Sequence, residues 1–423
     1  MPDDSWSADG SQVPVISPHT ETKHNILKDY LTDWVFTLCG NSPGMKKKIT
    51  IIDGFAGGGV YLKKGQQETR VPGSPILMIQ AIEEGLQRVK LEKSKPEFEL
   101  DWELKLVESD YDHLQCLQSS FREFGYDHYL DSGFVEFIHG EFSEKFDYCH
   151  DVVKTRKGSS FFFIDPFGYT QFSTFQLQQI MKIPNSEILL TFMIQFIERF
   201  LVNENSRQGF ERTMNAEAYF LEAKADDLFR PEKQKYLRNE TLRLLRTETG
   251  VKFLYAFSLL QTHSRAIYYL IHFANHQTAQ QVVKTSLWKY NTADEFYGYS
   301  YDVHGLAHLP SKDAGQDTLF EIKNRNQGSC QENLFDQLMP VIETSARGIS
   351  FLQLENYTMQ ENPADRNLYR STLSQMVSNG DIEIFRENRR TRSKDIKGTD
   401  IIRRNTQMRI VFEPHPNNPF RKE

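Results

Sequence analysis

The chain has few cysteines and none of the spacings that cysteine-based sites require. Its 423 residues include four cysteines, and no two of them form a C-x-x-C pair. This argues against a zinc knuckle or a disulfide framework and fits a reducing compartment, the cytoplasm. The twelve histidines show no metal-ligand spacing either, so no metal is expected.

Long apolar runs are also missing, so no membrane span is expected. The first ten residues are polar and acidic, unlike a signal or transit peptide. With 39% hydrophobic and 25% charged residues, the composition is that of a globular protein of two or three domains. The net charge of −7 gives no sign of a nucleic-acid binder, although a local basic patch matters more than the total.

Several familiar motifs are absent. The one glycine-rich turn matches neither G-x-G-x-x-G nor the P-loop, which argues against nicotinamide-dependent redox chemistry. There is no H-E-x-x-H and no serine nucleophile elbow, which argues against those metalloprotease and hydrolase classes.

The most informative stretch that is present covers residues 48–60. A β-branched run ends in Asp53, and a glycine-rich turn follows at once. This predicts a buried parallel strand feeding a tight turn, where backbone can approach an adenosine-containing ligand closely. A purely structural corner is the alternative.

The same turn, Asp-Gly-Phe-Ala-Gly-x-Gly, resembles the first motif of class I methyltransferases that depend on S-adenosylmethionine (SAM). The resemblance implies SAM as the cofactor. Asp53 would orient the turn and, through water, the amino-acid part of SAM, or it would only stabilise the turn. The turn residues expected to hold the cofactor are Asp53, Gly54, Phe55, Ala56, Gly57 and Gly59.

Further strands recur at helix-sized intervals. They are expected over residues 49–53, 104–108, 135–138, 160–165, 188–192, 253–260 and 266–273. The first five predict a mostly parallel sheet, and the short connection between the last two requires an antiparallel pair. The predicted fold class is α/β: a Rossmann-like class I methyltransferase sheet of parallel strands plus an antiparallel β-hairpin, with a helical insertion and a C-terminal winged helix-turn-helix domain.

Acidic residues after two other strands extend the expected cofactor set. Glu108 ends the second strand, where an acid can accept hydrogen bonds from both ribose hydroxyls, and Asp110 is the neighbouring alternative. Glu108 follows Asp53 by more than the roughly 20 residues of a minimal unit, which inserted segments can explain. Glu141, after the third strand, would meet the adenine or be an exposed loop acid.

Asp165, Pro166 and Phe167 are the strongest catalytic candidates. Asp-Pro-Phe-Gly closes the fourth strand and resembles the [DNS]-P-P-[YF] motif of amino-methyltransferases. There the polar side chain and the proline carbonyl accept hydrogen bonds from the target nitrogen, and the aromatic ring stacks on the target base. This chain departs from that motif by having Phe-Gly in its second half, and Asp-Pro is also an ordinary turn after a strand. Lys23 and His24, at the start of a helix, could lie over the cofactor, but a lone Lys–His pair is interpreted as a solvated helix end.

Composition divides the chain into four parts. Residues 1–20 are polar, contain three prolines and predict a flexible arm. Residues 21–300 would form the methyltransferase-like domain, with a charged helical insertion over 205–249. Residues 301–328 predict a linker, and 329–415 a winged helix-turn-helix domain.

The C-terminal part predicts three helices and a two-stranded ribbon, the second strand lying over residues 408–412. Eight basic and three acidic residues lie between Arg386 and Arg404. With a recognition-like helix that presents Tyr369 outward, they would contact phosphates, unless the wing is merely solvated or binds protein. The residues expected to bind nucleic acid are Arg366, Arg370, Arg389, Arg390, Arg392 and Lys394.

Taken in order, the motifs resemble the three-Cys-motif partner proteins (TcmP) over nearly the full chain. They are TKHNILKDYL (22–31), IDGFAG (52–57), GSP (73–75), FIDPFG (163–168) and IYYLIHFAN (267–275). The resemblance implies a bacterial methyltransferase-like protein that works with a three-Cys-motif protein, often in a mobile-element or phage-defence setting. It leaves the substrate open.

Two functions therefore stand side by side. The first is a SAM-dependent methyltransferase acting on DNA or RNA, which aligns a nitrogen lone pair with the methyl group. The second is a non-catalytic adaptor that docks a partner protein onto nucleic acid, which the imperfect Asp-Pro-Phe-Gly motif favours.

Overall fold

The chain forms two units, each of which buries its own apolar side chains. The computed structural model describes residues 5–168, 171–193, 197, 200, 204–221, 230–262, 265–290, 304–307, 316–391 and 395–405. The first unit comprises Met1–Gly328 with Gln360–Asp365, and the second comprises Ser329–Met359 with Arg366–Glu423.

The first unit alternates strands with helices. Its described strands are β1 (Lys46–Asp53), β2 (Val60–Lys63), β3 (Gln66–Pro72), β4 (Glu99–Glu108), β5 (Val135–His139), β6 (Ser159–Ile164), β7 (Ser186–Met193), β8 (Phe253–Thr262), β9 (Arg265–Ala274) and β10 (His304–Ala307). Its described helices are α1 (Pro18–Gly40), α2 (Ser74–Glu92), α3 (Tyr111–Glu123), α4 (His128–Asp131), α5 (Phe142–Arg156), α6 (Thr174–Lys182), α7 (Glu204–Met214), α8 (Arg230–Thr249) and α9 (Gln277–Trp288).

Eight of the described strands form one sheet in the order β10-β8-β9-β7-β6-β1-β4-β5. The pairs among β1, β4, β5, β6 and β7 are parallel, whereas β9 is antiparallel to both β7 and β8. An antiparallel strand inserted at this place is the class I methyltransferase arrangement, so the predicted fold class is confirmed. The structure adds β10, which is parallel to β8.

Successive side chains of the central strands point to opposite faces of the sheet and pack into two hydrophobic cores, one on each face. In β6, Phe161 and Phe163 pack into one core, while Phe162 and Ile164 pack into the other. All of β6 is buried, as a central strand covered on both faces must be. The unbroken apolar run that predicts this strand therefore serves both cores.

The segment before α1 differs from the prediction of a flexible arm. In residues 5–17, the side chains of Trp6, Val13 and Ile16 are buried. The indole Nε1 of Trp6 donates to the carbonyl of Val60 at 2.5 Å. The few apolar residues of this polar segment hold it against the first unit.

Two helix starts also differ from the sequence pattern, which predicts one helix from Thr22 and another over residues 76–86 with Ser74 as its cap. Helix α1 already begins at Pro18, with Ser17 as its N-cap. Helix α2 has Gly73 at its N-cap rather than Ser74. The Ser74 hydroxyl instead donates to Oδ2 of Asp53 at 2.8 Å, so it serves the end of β1.

Regular structure also occupies segments predicted as loop, insertion or linker. Strands β2 and β3 form an antiparallel hairpin between the glycine-rich turn and Pro75, where the sequence predicts a loop. Helices α7 and α8 lie in the predicted insertion, of which residues 222–229 are outside the described residues. The predicted linker contains β10 and the beginning of the next helix.

The second unit has helices and a small antiparallel sheet. Its elements are α10 (Gln316–Thr344, which begins in the first unit), β11 (Ile349–Ser350), α11 (Phe351–Thr358), α12 (Arg366–Asn379), β12 (Ile382–Arg386), β13 (Arg389–Thr391) and β14 (Ile401–Arg404). The sheet order is β11-β14-β12-β13, the pattern of a winged helix. The predicted strand over 408–412 lies outside the described residues, and β14 pairs with β12 earlier in the chain. None of the described helices is long and apolar enough to cross a membrane.

Candidate functional site

The glycine-rich turn lies at the edge of the sheet where the parallel strands end, here called the carboxyl edge. The Gly54 amide donates to the carbonyl of Phe163 in β6 at 2.9 Å. The Ala56 amide donates to the carbonyl of Val107 in β4 at 3.0 Å. The turn is therefore hydrogen-bonded to the strands on both sides of β1.

Two glycines are required by the turn itself. Gly57 and Gly59 have φ angles of +59° and +75°, where residues with a Cβ are strained. A Cβ at Gly59 would lie 2.5 Å from Cδ1 of Leu117. The Gly57 amide donates to Oε2 of Glu108 at 2.8 Å, which ties the turn to the end of β4.

Asp53 lies fully buried beneath the turn. Its Oδ1 accepts from the amide of Phe55 at 3.1 Å, and its Oδ2 accepts from Ser74. Burial, with smaller contributions from the charges of Asp165 and Glu108, raises the pKa of Asp53 to about 7, although the hydrogen bonds from Ser74 and Phe55 oppose the shift. Asp53 therefore gains or loses its proton near neutral pH.

Glu108 presents a buried carboxylate at the neighbouring strand end. Its Oε1 accepts from the Asp110 amide at 2.9 Å and lies 3.6 Å from Nδ1 of His113. Burial by itself would raise the pKa of Glu108, but hydrogen bonds from His113 and the Asp110 and Gly57 amides keep it below the ordinary value. Glu108 is therefore an ionised acceptor.

Asp110 and Glu141 occupy the N-cap positions of two helices. Oδ1 of Asp110 accepts from the amides of Asp112 and His113 at 2.8 and 3.2 Å, so this side chain caps α3. Glu141 precedes α5, caps nothing with its side chain and is exposed.

A cleft joins these groups at the carboxyl edge. Its lining residues are Gly54, Phe55, Val107, Glu108, Ser109, Gly140, Glu141, Phe142, Phe167 and Gln171. The apolar walls suit the adenine ring of an adenosine group, and the Glu108 carboxylate suits its ribose hydroxyls. The cleft volume is about 30 Å³, so the enclosed part of the cleft is much smaller than SAM.

Asp165 follows β6 and is bound by Lys23 of α1 through an ion pair. The two side chains are only 19% and 10% exposed. The Lys23 ammonium also lies 5.9 Å from the ring centre of Tyr268 in β9. The interpretation of Lys23 as a solvated helix end is therefore wrong.

The next two residues of the motif face different surroundings. Pro166 is buried, whereas the side chain of Phe167 is 76% exposed. The Gly168 amide donates to Oε1 of Gln171 at 3.0 Å, which closes the turn. Phe167 thus offers an open aromatic face beside a carboxylate, an arrangement that can stack on a base.

His24 is also buried rather than solvated. Burial, and then the positive charge of Lys23, lower its pKa to about 3, so the ring stays neutral. Its ring lies 5.6 Å from that of Tyr61, and its Nδ1 has no hydrogen-bond partner within the described part of the chain.

A usable signal for Lys23 was present in the sequence. The apolar face of α1 includes Leu27 and Tyr30, and Lys23 lies on the same helical face, one and two turns earlier. A charged residue on an apolar face indicates a buried partner. Neither that partner, Asp165, nor its distance could be read from helical spacing.

Trp6 is a further residue that sequence reasoning missed. A Cβ added at Gly58 would lie 2.3 Å from the indole ring, so only glycine admits this contact. The ring also lies 4.8 Å from that of His113 and 5.1 Å from that of Tyr61. Trp6 therefore packs directly on the glycine-rich turn.

In the second unit, two of the predicted nucleic-acid-binding arginines hold the fold. Arg366 pairs with the buried carboxylate of Glu355 at 2.7 Å. Arg370 donates to the carbonyl of Ile396 at 3.2 Å and lies 3.6 Å from Asp395. These side chains have structural partners that the sequence did not reveal.

The wing retains two open cations in its described part. The exposed side chains of Arg389 and Lys397 form no hydrogen bond or ion pair there, whereas Arg390 pairs with Glu383 at 2.9 Å. Arg392 and Lys394 lie outside the described residues. Tyr369 is fully buried, so its predicted outward position on α12 is wrong.

Comparison with known proteins adds a family match for the C-terminal part. The sequence profile of a family described as GMT-like wHTH domain matches residues 310–389. No curated protein sequence matches the chain.

Solved structures similar to the chain include three methyltransferases. The O-methyltransferase from Bacillus cereus in complex with SAH has a TM-score of 0.31 and 11% identity, covering 61% of this chain and 82% of that one. The O-methyltransferase TomG from Streptomyces achromogenes in complex with SAM has a TM-score of 0.29 and 12% identity, covering 65% and 100%. SAH-bound PaMTH1 from Podospora anserina has a TM-score of 0.25 and 11% identity, covering 61% and 89%. Because these identities and TM-scores are low, the assignment of a methyltransferase fold to the first unit depends on its own strand order. The assignment of a winged helix to the second unit depends on the family match.

Proposed function

We propose that this chain is a SAM-dependent methyltransferase that acts on nucleic acid. One observation carries the proposal: Asp53, Glu108 and Asp165 stand at the ends of the adjacent parallel strands β1, β4 and β6. The charges of Glu108 and Asp165 both raise the pKa of Asp53, so the three carboxyl groups lie within electrostatic reach.

The residues at this edge divide into cofactor and acceptor groups. Bound SAM would supply an electrophilic methyl group. Glu108 would accept the ribose hydroxyls, and Phe142 and Glu141 would border the adenine. Asp53 would hold the glycine-rich turn in place.

Asp165 and Phe167 would position the acceptor. The Lys23 ion pair fixes the Asp165 carboxylate, whose remaining acceptor positions can bind an N–H or O–H group of the substrate. Phe167 would stack on the base that carries this group. Alignment of the acceptor would be the main catalytic contribution.

Transfer of labelled methyl groups from SAM to DNA or RNA tests the catalytic role. We expect the wild type and the surface variant Asp147→Asn to label nucleic acid alike, and Asp165→Asn to label it at least about a hundredfold more slowly. A folded wild type that transfers no label, or equal rates for Asp165→Asn, would contradict the proposal.

The winged helix supports nucleic acid as the substrate class, and Arg389 is one of the open cations of the wing that would contact phosphate. We expect Arg389→Ala to weaken DNA or RNA binding about threefold. The salt slope, which is the slope of the logarithm of the binding constant against the logarithm of the salt concentration, should decrease in magnitude by about one. Arg243→Ala, in α8 of the first unit, is the control. Equal salt slopes for both variants would count against the wing.

An adaptor is the second candidate, because the cleft is small and Asp165 already has a partner. In either case the family resemblance supports a three-Cys-motif protein as partner and a role in phage defence. Protection of cells by a folded Asp165→Ala variant at the wild-type level would favour the adaptor, and loss of protection would favour the enzyme.

A further inference from the structure

A second cavity lies at the opposite edge of the same sheet, here called the amino edge. It has a volume of about 440 Å³ and lies between the C-terminal half of α1, the N-terminal half of α9 and the beginnings of β1, β6 and β7. This volume is within the range of small-molecule sites, roughly 300–1,000 Å³. The cavity shares no lining residue with the cleft at the carboxyl edge.

Much of the cavity wall is apolar. Trp34 and Leu38 of α1 face it, as do Ala279 and Val282 of α9. Trp34 is only 2% exposed because its side chain also packs in the hydrophobic core, which fixes this part of the cavity wall. An apolar wall of this kind suits the body of an aromatic or heteroaromatic ligand.

A buried hydrogen-bond network fixes the inner end of the cavity. Oε1 of Glu187 accepts from Nε1 of Trp34 at 2.8 Å, and Oε2 lies 3.0 Å from Nε2 of His272. The Tyr30 hydroxyl donates to the same carboxylate. Because these groups bind one another, the cavity is preformed rather than a gap between mobile side chains.

One buried hydroxyl at the cavity lacks a partner. Ser159 lines the cavity and is 2% exposed, and its Oγ forms no hydrogen bond within the described residues. The neighbouring Ser160 and Ser186 hydroxyls bond each other at 2.5 Å. Since a buried hydroxyl without a hydrogen bond is unfavourable, the Ser159 hydroxyl is available as a donor and acceptor for a ligand.

A cation at the cavity is unpaired as well. Three lysines follow one another at the start of β1. Lys46 pairs with Glu99 at 3.2 Å, and Lys48 lies 3.5 Å from Asp101. Lys47, which lines the cavity, has no ion pair or hydrogen bond in the described part of the chain.

We propose that this cavity binds a small heteroaromatic anion of the size of a nucleoside monophosphate. Lys47 binds the anionic group, Ser159 hydrogen-bonds the polar edge of the ring system, and the walls from α1 and α9 enclose its apolar faces. The site is independent of methyl transfer, since its residues belong to the opposite edge of the sheet.

Titration calorimetry of the full chain with AMP, GMP, CMP and UMP tests the proposal. We expect at least one nucleotide to bind, its affinity to fall at least tenfold in Lys47→Gln, and binding to be lost in Ala279→Leu, which fills the cavity. Lys48→Gln, one residue along the strand, should bind within about twofold of the wild type.

The uncharged nucleoside should bind at least tenfold more weakly than its nucleotide. The proposal is overturned if none of the four nucleotides binds the folded wild type. It is equally overturned if the bound nucleotide is unaffected by Lys47→Gln or by a folded Ala279→Leu variant. Saturating SAH should leave the nucleotide affinity unchanged, and competition would assign the binding to the carboxyl edge instead.

Discussion

The two edges of the central sheet differ in what they contain. The carboxyl edge has the recognisable motifs, with Asp53, Glu108 and Asp165 at adjacent strand ends, but its cleft measures only about 30 Å³. The amino edge has no recognised motif, yet it contains a cavity of about 440 Å³ lined by Lys47, whose side chain has no partner among the described residues. Sequence motifs therefore indicate where reactive side chains lie, whereas the volume available to a ligand depends on how segments distant in the chain pack together.

The difference also concerns how the charged groups are used. At the carboxyl edge, Lys23 and His113 already lie against Asp165 and Glu108. At the amino edge, Lys47 has no such partner in the described residues. At the carboxyl edge, a cofactor or substrate must therefore share Asp165 and Glu108 with these partners inside the protein.

The largest effect is expected from the buried acid of the carboxyl edge. Burial raises the pKa of Asp53 from 3.8 to about 7. Protonated Asp53 therefore contributes stability that is full below pH 3.8 and is lost as the pH rises through about 7. By linkage this contribution is on the order of 4 kcal/mol.

Asp53→Asn cannot ionise, so the free energy of unfolding should fall less between about pH 4 and pH 8 than in the wild type. Urea denaturation across this range measures the difference. His24, whose lowered pKa gives the opposite slope, is present in both proteins and cancels. If the free energy of unfolding changed equally with pH in the two proteins, Asp53 would not be the source of the pH dependence.

Next in size are two buried tryptophans, one at each edge. We expect Trp6→Ala and Trp34→Ala each to lower the free energy of unfolding by about 3 kcal/mol, because each leaves a cavity and an unpaired acceptor. Only Trp6→Ala should also weaken SAH binding, since Trp6 packs on the glycine-rich turn. Equal SAH affinities for the two variants, measured by calorimetry, would contradict the claim that only the carboxyl edge binds the cofactor.

A smaller effect is expected from the lysines of α1. Lys23→Met leaves the half-buried Asp165 unpaired and should cost about 2 kcal/mol, whereas Lys28→Met removes an exposed pair with Glu84 and should cost less than about 1 kcal/mol. Adding Asp165→Asn to Lys23→Met should restore part of the loss. A double variant no more stable than Lys23→Met, by urea denaturation, would rule out the ion pair as the cause.

Sequence patterns predicted the strands well for a physical reason. The Phe161–Phe163 run had to be buried on both faces, and regular helix-sized gaps allowed parallel pairing among its neighbours. The loop assigned after the glycine-rich turn was wrong because the β2–β3 hairpin has little apolar alternation. The helix cap assigned to Ser74 failed because its hydroxyl is bound by a buried acid that only the fold brings near.

The candidate site was foreseen where function follows from a strand end and missed where it depends on distant segments. Asp53, Glu108 and Asp165 could be placed at strand ends from the sequence alone. Trp6 and Lys23 could not, because their contacts join residues far apart in the chain. The internal partners of Arg366 and Arg370 were invisible for the same reason.

Calorimetry with SAH tests the central claim most directly. We expect the wild type to bind SAH, Glu108→Gln to bind it at least tenfold more weakly, and Glu187→Gln, at the amino edge, to bind it as the wild type does. Loss of one charged acceptor of the ribose hydroxyls explains a reduction of that size. A folded wild type that binds no SAH, or binding unaffected by Glu108→Gln, would contradict a cofactor site at the carboxyl edge.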